Sequence, residues 1–206
     1  MAIKNIIFDL GGVVLNLDQD KTLRAFKKLG AELESIHTDN TLFHDFEVGK
    51  IDAEYFVQTL FTHLKGNASR EEIIAAWNSM LLDLPEERLT QIRALKPKYR
   101  LFLLSNTNTI HIDAVYAEHG KEVFEELFEI IYLSHEIGLR KPNVECYQYV
   151  LKHAGIKGSE SVFVDDNKAN IKGAKEAGLN TIWAKDPVDT WFFEELKKVD
   201  VLNLSN

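Results

Sequence analysis

The chain opens on an apolar run of strand length, residues 3–8, that stops abruptly at Asp9 and is followed at once by Gly11 and Gly12. Val13–Asn16 is expected to run on from there as an extended turn or flap. From Asp18 to about Leu82 the apolar spacing becomes helical. Leu23, Phe26 and Leu29 form one stripe, Tyr55, Phe56, Leu60 and Leu64 a second, and Ile73, Ile74, Trp77, Leu81 and Leu82 a third. Asp52 stands three residues before Tyr55, and Ser69 stands three before Glu72, so both suit helix N-caps and the second a capping box. No strand-like alternation interrupts this region. Pro85 then opens another helix, with an apolar stripe of Leu89, Ile92 and Leu95.

Beyond that helix the two periods alternate. Strands are predicted at Arg100–Leu104, Phe128–Leu133, Ser161–Val164 and Thr181–Ala184. Helices are predicted around Ile110–Glu118, through Tyr147, Val150 and Leu151 to a stop at Ala154-Gly155, and through Ile171, Ala174 and Ala177 to Gly178. Strands alternating with helices imply an α/β fold, a doubly wound, Rossmann-like parallel sheet covered on both faces. The helical stretch reads as an insertion after the first strand. The expected division is a core of residues 1–16 and 85–206 with an inserted α-helical cap of residues 17–84.

Composition narrows the possibilities. With 45% apolar and 27% charged residues over 206 positions, the chain suits one ordinary globular core with an insertion. A formal net charge of −8 and the lack of any Lys/Arg run speak against a nucleic-acid surface. No apolar segment approaches a membrane span, and Asp9 breaks the N-terminal apolar run too early for a signal peptide. Cys146 is the single cysteine, so no intrachain disulfide can form, and a buried structural thiol is expected. These features lead us to expect a cytoplasmic protein without nucleic-acid or membrane partners; a monomer or homodimer is expected, with nothing in the composition to choose between them.

Three strands end in polar residues: Asp9, Ser105-Asn106 and Asp165-Asp166. In a doubly wound sheet such ends converge on one edge, where ligands bind. Any one of them is ordinary as a turn or a cap; all three, with Lys141-Pro142 between the second and third, point to a site. The sequence resembles the haloacid dehalogenase superfamily over nearly its whole length. The resemblance rests on four motifs in order: Phe8-Asp9-Leu10-Gly11-Gly12-Val13, Leu104-Ser105-Asn106-Thr107, Arg140-Lys141-Pro142 and Phe163-Val164-Asp165-Asp166-Asn167. The helical insertion matches the small α-helical cap of that superfamily, and the motif details look most like its bacterial sugar-phosphate phosphatases.

The resemblance implies a Mg²⁺-dependent phosphomonoesterase acting on a small phosphorylated metabolite such as a sugar phosphate. Asp9 would attack phosphorus and form an aspartyl-phosphate that water hydrolyses. Asp9, the Gly11 carbonyl and Asp166 would hold the Mg²⁺, with Asp165 bound directly or through water. Ser105, Asn106 and Lys141 would take the phosphoryl charge, and Lys141 would keep Asp9 ionised. In the cap segment Phe43–Lys50, His44 and Glu47 are candidates for contacting a sugar, although mixed polarity also suits an exposed helix face. The cap aromatics, Trp77 among them, are expected in its core.

The chain departs from the family pattern at one position. Family phosphatases usually carry a second Asp two residues after the nucleophile, as acid and base; Gly11 stands there instead. Three explanations follow: a substrate with a good leaving group, a substitute such as water or Asp18, or slow turnover by a phosphate-binding or phospho-accepting protein. Two further rivals are a metal-independent haloacid dehalogenase, which has no use for Asp165-Asp166, and a receiver-like signalling domain.

Overall fold

The computed structural model describes residues 2–31, 40–185 and 190–204. Among these the sheet has five strands, β1 (Asn5–Phe8), β2 (Arg100–Ser105), β3 (Ile130–Leu133), β4 (Ser161–Asp165) and β5 (Asn180–Trp183), in the order β3-β2-β1-β4-β5. Each neighbouring pair is parallel, with Ile6 opposite Leu101 and Val162. β1 is therefore central, and strand order reverses beside it. Its four residues are all buried, as a strand covered on both faces requires.

The two-residue period of the strands sorts the core into two layers. Ile6, Phe8, Leu101, Leu103, Val162 and Val164 pack with Leu89 and Ile92 of α5 (Glu86–Arg93), Phe124 of α7 (Lys121–Leu127) and Phe192 and Leu196 of α11 (Thr190–Leu204). Ile7, Phe102, Leu104 and Phe163 point the other way. They meet Tyr147 and Val150 of α9 (Val144–Ala154) and Ile171 and Ala174 of α10 (Lys168–Glu176). α6 (Thr109–His119) and the short α8 (Ser134–Ile137) complete this part of the chain.

The region from α1 (Gln19–Lys28) through α2 (Asn40–Glu47), α3 (Ala53–His63) and α4 (Arg70–Asn78) contains only helices among its described elements, as the helical spacing predicts. It has a separate apolar cluster, built on Phe26, Phe46, Phe56, Leu60 and Ile73, that reaches Ile110 of α6. The expected caps are present. Asp52 accepts from the Tyr55 amide at 2.8 Å, and Ser69 and Glu72 exchange both capping-box hydrogen bonds. Parts of α1–α2 connection, residues 32–39, lie outside the described residues.

Three expectations need correction. Residues 13–16 are no outward flap: the Gly12 amide donates to the Leu15 carbonyl at 2.8 Å, the Leu15 amide donates to Leu10, and Val13, Val14 and Leu15 are buried. Apolar content drove that turn into the core. The strand predicted at Phe128–Leu133 begins only at Ile130, because α7 runs to Leu127 and Phe128 ends it. Helix α11 was not read from the sequence, yet Phe192 and Leu196 on it cover one face of the sheet.

Candidate active site

The carboxyl ends of β1, β2 and β4 converge as their polar residues suggest. They line one cavity of about 460 Å³ that includes Asp9, Gly11, Ser105, Asn106, Lys141 and Asp166 on its floor. Phe43, Glu47 and Trp77 of the helical region also line it.

Lys141 is the hub. Its ammonium is 1% exposed and sits 2.7 Å from Asp9 Oδ1 and 2.8 Å from Asp165 Oδ2. A lysine has three N–H donors, so one is left for an oxygen in the cavity. Burial alone would lower the pKa of Lys141, but the two carboxylates outweigh it and hold the ammonium charged. The backbone around Lys141 is fixed by Asn106, whose Nδ2 donates to the Lys141 carbonyl at 2.8 Å and whose Oδ1 accepts from the Lys141 amide at 2.9 Å. The side chain of Asn106 is thus a brace. Only its main chain remains to meet a phosphate.

Asp9 is held by the adjacent Leu10 amide, again on Oδ1, at 2.7 Å. Both of its protein partners therefore fall on one oxygen, and Oδ2 is the one with open lone pairs. Burial pushes the Asp9 pKa up, Lys141 pulls it down, and the neighbouring Asp165 and Asp166 push it up further. Burial and proximity to Asp165 likewise raise Asp166. These opposed charges need a cation.

Oxygen atoms of Asp9, Asp165 and Asp166 lie within 4.8 Å of one another, a hard donor set that suits Mg²⁺. The three are not equivalent. Asp165 accepts from the Asn167 amide at 2.7 Å, from Asn170 Nδ2 on both oxygens at 3.1 and 3.0 Å, and from Lys141. That fills the roughly four lone-pair sites of a carboxylate. Asp165 anchors Lys141, and Asp9 and Asp166 are the carboxylates with room for a metal. Gly12 shows why a glycine stands three residues after Asp9. Its φ is +76°, and a Cβ there would collide with the Asp166 carboxylate.

Some participants are absent from the sequence reading. Asn170 escaped it, although its place one helical turn beyond the Asp165-Asp166-Asn167 run was a usable signal. Ser134 exchanges two 2.9 Å hydrogen bonds with the Thr107 backbone and so fixes the loop after β2. Arg88 donates to the Val14 carbonyl at 2.9 Å and to Asn16 Oδ1 at 3.1 Å, bracing the turn after Asp9. Nothing in a sequence marks such long-range contacts.

The two cap candidates separate. Glu47 faces the cavity and forms an ion pair with Arg140 at 2.7 Å. His44 does not line the cavity; its side chain is 43% exposed and lies 3.7 Å from Asp45. The expected sugar contact by His44 is not met, because helix α2 turns that position to solvent. Asp18, suggested as a substitute acid, pairs with Arg24 at 3.0 Å and lies off the cavity. A Cβ at Gly11 would meet the far end of the Leu17 side chain, a methyl group that would have to shift.

Trp77 is partly buried; it packs on Phe43 and Phe56 of the helical region's apolar cluster, with centroids 5.4 and 5.0 Å away, as expected, and it also joins that region to the core. Its ring stacks on His111 with centroids 4.7 Å apart. The Trp77 carbonyl lies 3.2 Å from His111 Nε2, and Asn108 Nδ2 lies 3.2 Å from His111 Nδ1. Two such partners suit a neutral ring with its proton on Nε2. Burial pushes the His111 pKa down to about 4 from an ordinary 6.5. The unfolded chain therefore binds this proton more readily than the folded one. The stability it withholds is absent above about pH 6.5 and grows as pH falls towards 4, worth roughly 3 kcal/mol at most. A His111→Phe variant keeps a ring for Trp77 but cannot titrate. Urea unfolding of the two proteins from pH 7 to 4 should show a shallower acid loss in the variant; parallel curves would contradict the assignment.

The convergence of these strand ends under a helical cap defines a class, the haloacid dehalogenase-like hydrolases. Residues 3–178 match that family, and the chain belongs to it. The chain is 32% identical over 196 residues to the D-ribitol-5-phosphate phosphatase of Bacteroides thetaiotaomicron, covering 91% of this chain and 94% of that one. A family enzyme from the same organism, solved with magnesium and inorganic phosphate, superposes with a TM-score of 0.84 at 36% identity, covering 93% of this chain and 98% of that one. The sesquiterpene phosphatase astK of Aspergillus oryzae is 28% identical over 191 residues, covering 91% of this chain and 92% of that one.

Proposed function

We propose that the protein is a Mg²⁺-dependent phosphomonoesterase for a small sugar or polyol phosphate. The observation that carries this reading is Lys141 Nζ, buried between Asp9 and Asp165, beside a third carboxylate and at the floor of a capped cavity. A dehalogenase needs no such acidic cluster. Nor does a receiver domain need a cap.

In this reading Asp9, Asp166 and the Gly11 carbonyl would hold Mg²⁺, which would supply charge neutralisation for two approaching anions, while Asp165, its lone pairs filled, holds Lys141 in place. Asp9 Oδ2 attacks phosphorus in line as the bond to the substrate oxygen breaks, giving an aspartyl-phosphate. The third donor of Lys141, the Ser105 hydroxyl and the Asn106 main chain take the charge that spreads over the phosphoryl oxygens. Water then attacks the aspartyl-phosphate and releases inorganic phosphate. Residues 17–84 act as the cap that shields the cavity during these steps.

No carboxylate stands at position 11, and Asp18 is turned away. Proton transfer to the leaving oxygen therefore falls to water, so among sugar and polyol phosphates those with the better leaving groups, such as anomeric sugar phosphates, should show the higher kcat. We place the protein in the cytoplasm on its single buried thiol, Cys146. Among the described residues no helix is long and apolar enough to cross a membrane.

The test is a phosphate-release panel of ribitol 5-phosphate, sugar 1- and 6-phosphates, nucleotides and acetyl phosphate, with Mg²⁺ and with a chelator. Turnover of at least one sugar or polyol phosphate, lost on chelation and restored by Mg²⁺, is the expected result. Silence with every substrate would sink the reading.

A further inference from the structure

The cavity changes character away from Lys141. Its far wall is apolar, formed by Leu17, Leu23, Phe26, Phe43, Met80 and Leu81. The polar groups set among them are already committed. The Thr22 hydroxyl donates to the Trp77 carbonyl at 3.1 Å, and both ring nitrogens of His111 have partners. Gln19 is exposed at the start of α1. Of the groups that line this cavity, the half-buried charged ones that remain away from Lys141 are Glu47 and Arg140, with side chains 27% and 28% exposed.

Their placement is rigid and specific. Arg140 directly precedes Lys141, whose ammonium touches the nucleophile. Glu47 ends α2, and the turn beyond it is seated on the core by Gly49, where a Cβ would collide with the His135 carbonyl. The 2.7 Å ion pair joins Arg140 Nη2 to Glu47 Oε2. It is not a well-directed hydrogen bond, so Glu47 Oε2 and Arg140 Nε are both buried without a hydrogen-bond partner. A buried donor of that kind is costly unless a ligand satisfies it.

We propose that Glu47 and Arg140 determine specificity by reading hydroxyl groups on the organic part of the substrate, selecting a polyhydroxylated chain over an apolar alcohol. A hydroxyl both donates and accepts. It can give its proton to the Glu47 carboxylate while an oxygen takes a hydrogen bond from Arg140. Neighbouring hydroxyls on one chain satisfy both partners at once. An apolar leaving group leaves both charges facing hydrocarbon, which the site penalises. The inference rests on the phosphomonoesterase reading and narrows it.

The experiment compares kcat/KM for ribitol 5-phosphate and for p-nitrophenyl phosphate, whose leaving group carries no further hydroxyl, in wild type, Glu47→Gln and Arg140→Lys. The ratio of the two values is expected to fall about 10- to 100-fold in each variant, mainly through KM for the polyol phosphate. Circular dichroism and thermal melting establish that the variants fold; if one does not, the other carries the test. An equal loss on both substrates would overturn the proposal and make the pair a clasp for the Lys141 loop. An unchanged ratio would overturn it outright. If wild-type protein releases phosphate from neither substrate, the fault lies with the phosphomonoesterase reading, which this control separates.

Discussion

Replacing Asp9 with Asn is expected to abolish phosphate release while leaving the fold intact or more stable. The catalytic loss should be on the order of 10⁴- to 10⁶-fold, since in the proposed mechanism the neighbouring carboxylates are committed elsewhere, Asp166 to the metal and Asp165 to Lys141. Asp165 has its lone pairs filled by Asn167, Asn170 and Lys141. The stability expectation follows from burial. Asp9 is 8% exposed, and its carboxylate is pushed towards neutrality by burial and by two acidic neighbours. A neutral amide of the same shape relieves that repulsion and can still accept from the Leu10 amide. Activity assays and thermal melting without metal check the two halves. A variant that loses activity only by unfolding would refute the assignment of Asp9 as nucleophile on these grounds, as would one that keeps its turnover.

Lys141→Met should be the most damaging single change to the core of the site. It removes the one cation between Asp9 and Asp165 and leaves two buried carboxylates facing each other. Breaking a buried pair in this way costs about 3 to 5 kcal/mol. Turnover should vanish with it, because the same ammonium carries the free donor for the phosphoryl group. A cycle separates the causes. In an Asp9→Asn, Asp165→Asn background the Lys141→Met change should cost little stability, since the uncompensated charges are gone. Urea denaturation of the four proteins measures this. Equal cost in both backgrounds would mean that Lys141 stabilises through packing alone, including its approach to the Phe163 ring at 5.4 Å.

The two expectations pull in opposite directions for a reason. The Lys141 ammonium is needed for both folding and chemistry, whereas Asp9 is tolerated by the fold only because Lys141 stands beside it. A carboxylate that is poised to attack is a carboxylate poorly satisfied by its surroundings, and its removal can raise stability.

Much of this was legible in the sequence. Helical spacing between Leu23 and Leu82, the capping signals at Asp52 and Ser69, and the alternation after Pro85 are local properties. A helix or a strand declares its period over a few turns, and its caps lie within three residues. Asp9, Lys141, Asp165 and Asp166 were legible for a related reason. Each sits at the end of a strand or at the start of the next helix, and the parallel topology carries those ends to one edge. What remained hidden depends on distance through space. Asn170 is found by Asp165 through the geometry of one helix turn, and Ser134 finds Thr107 across two strands. Glu47 and His44 lie three residues apart on one short helix; no pattern in Phe43–Lys50 tells which of them meets Arg140.

The sequence alone determined the strand order along the chain and most of the helices, though not α7, α8 or α11, together with the central place of Asp9 and the residues that can bear its chemistry, because period, capping and strand ends are set by near neighbours. Only the tertiary structure decided how the acidic residues divide their work, with Asp165 anchoring Lys141 while Asp9 and Asp166 keep open oxygens. It also decided that Gly11 is backed by Leu17, that Asp18 is turned away and that Glu47, not His44, is on the cavity. Those outcomes depend on packing between segments far apart in the chain, and a contact of that kind leaves no period to read.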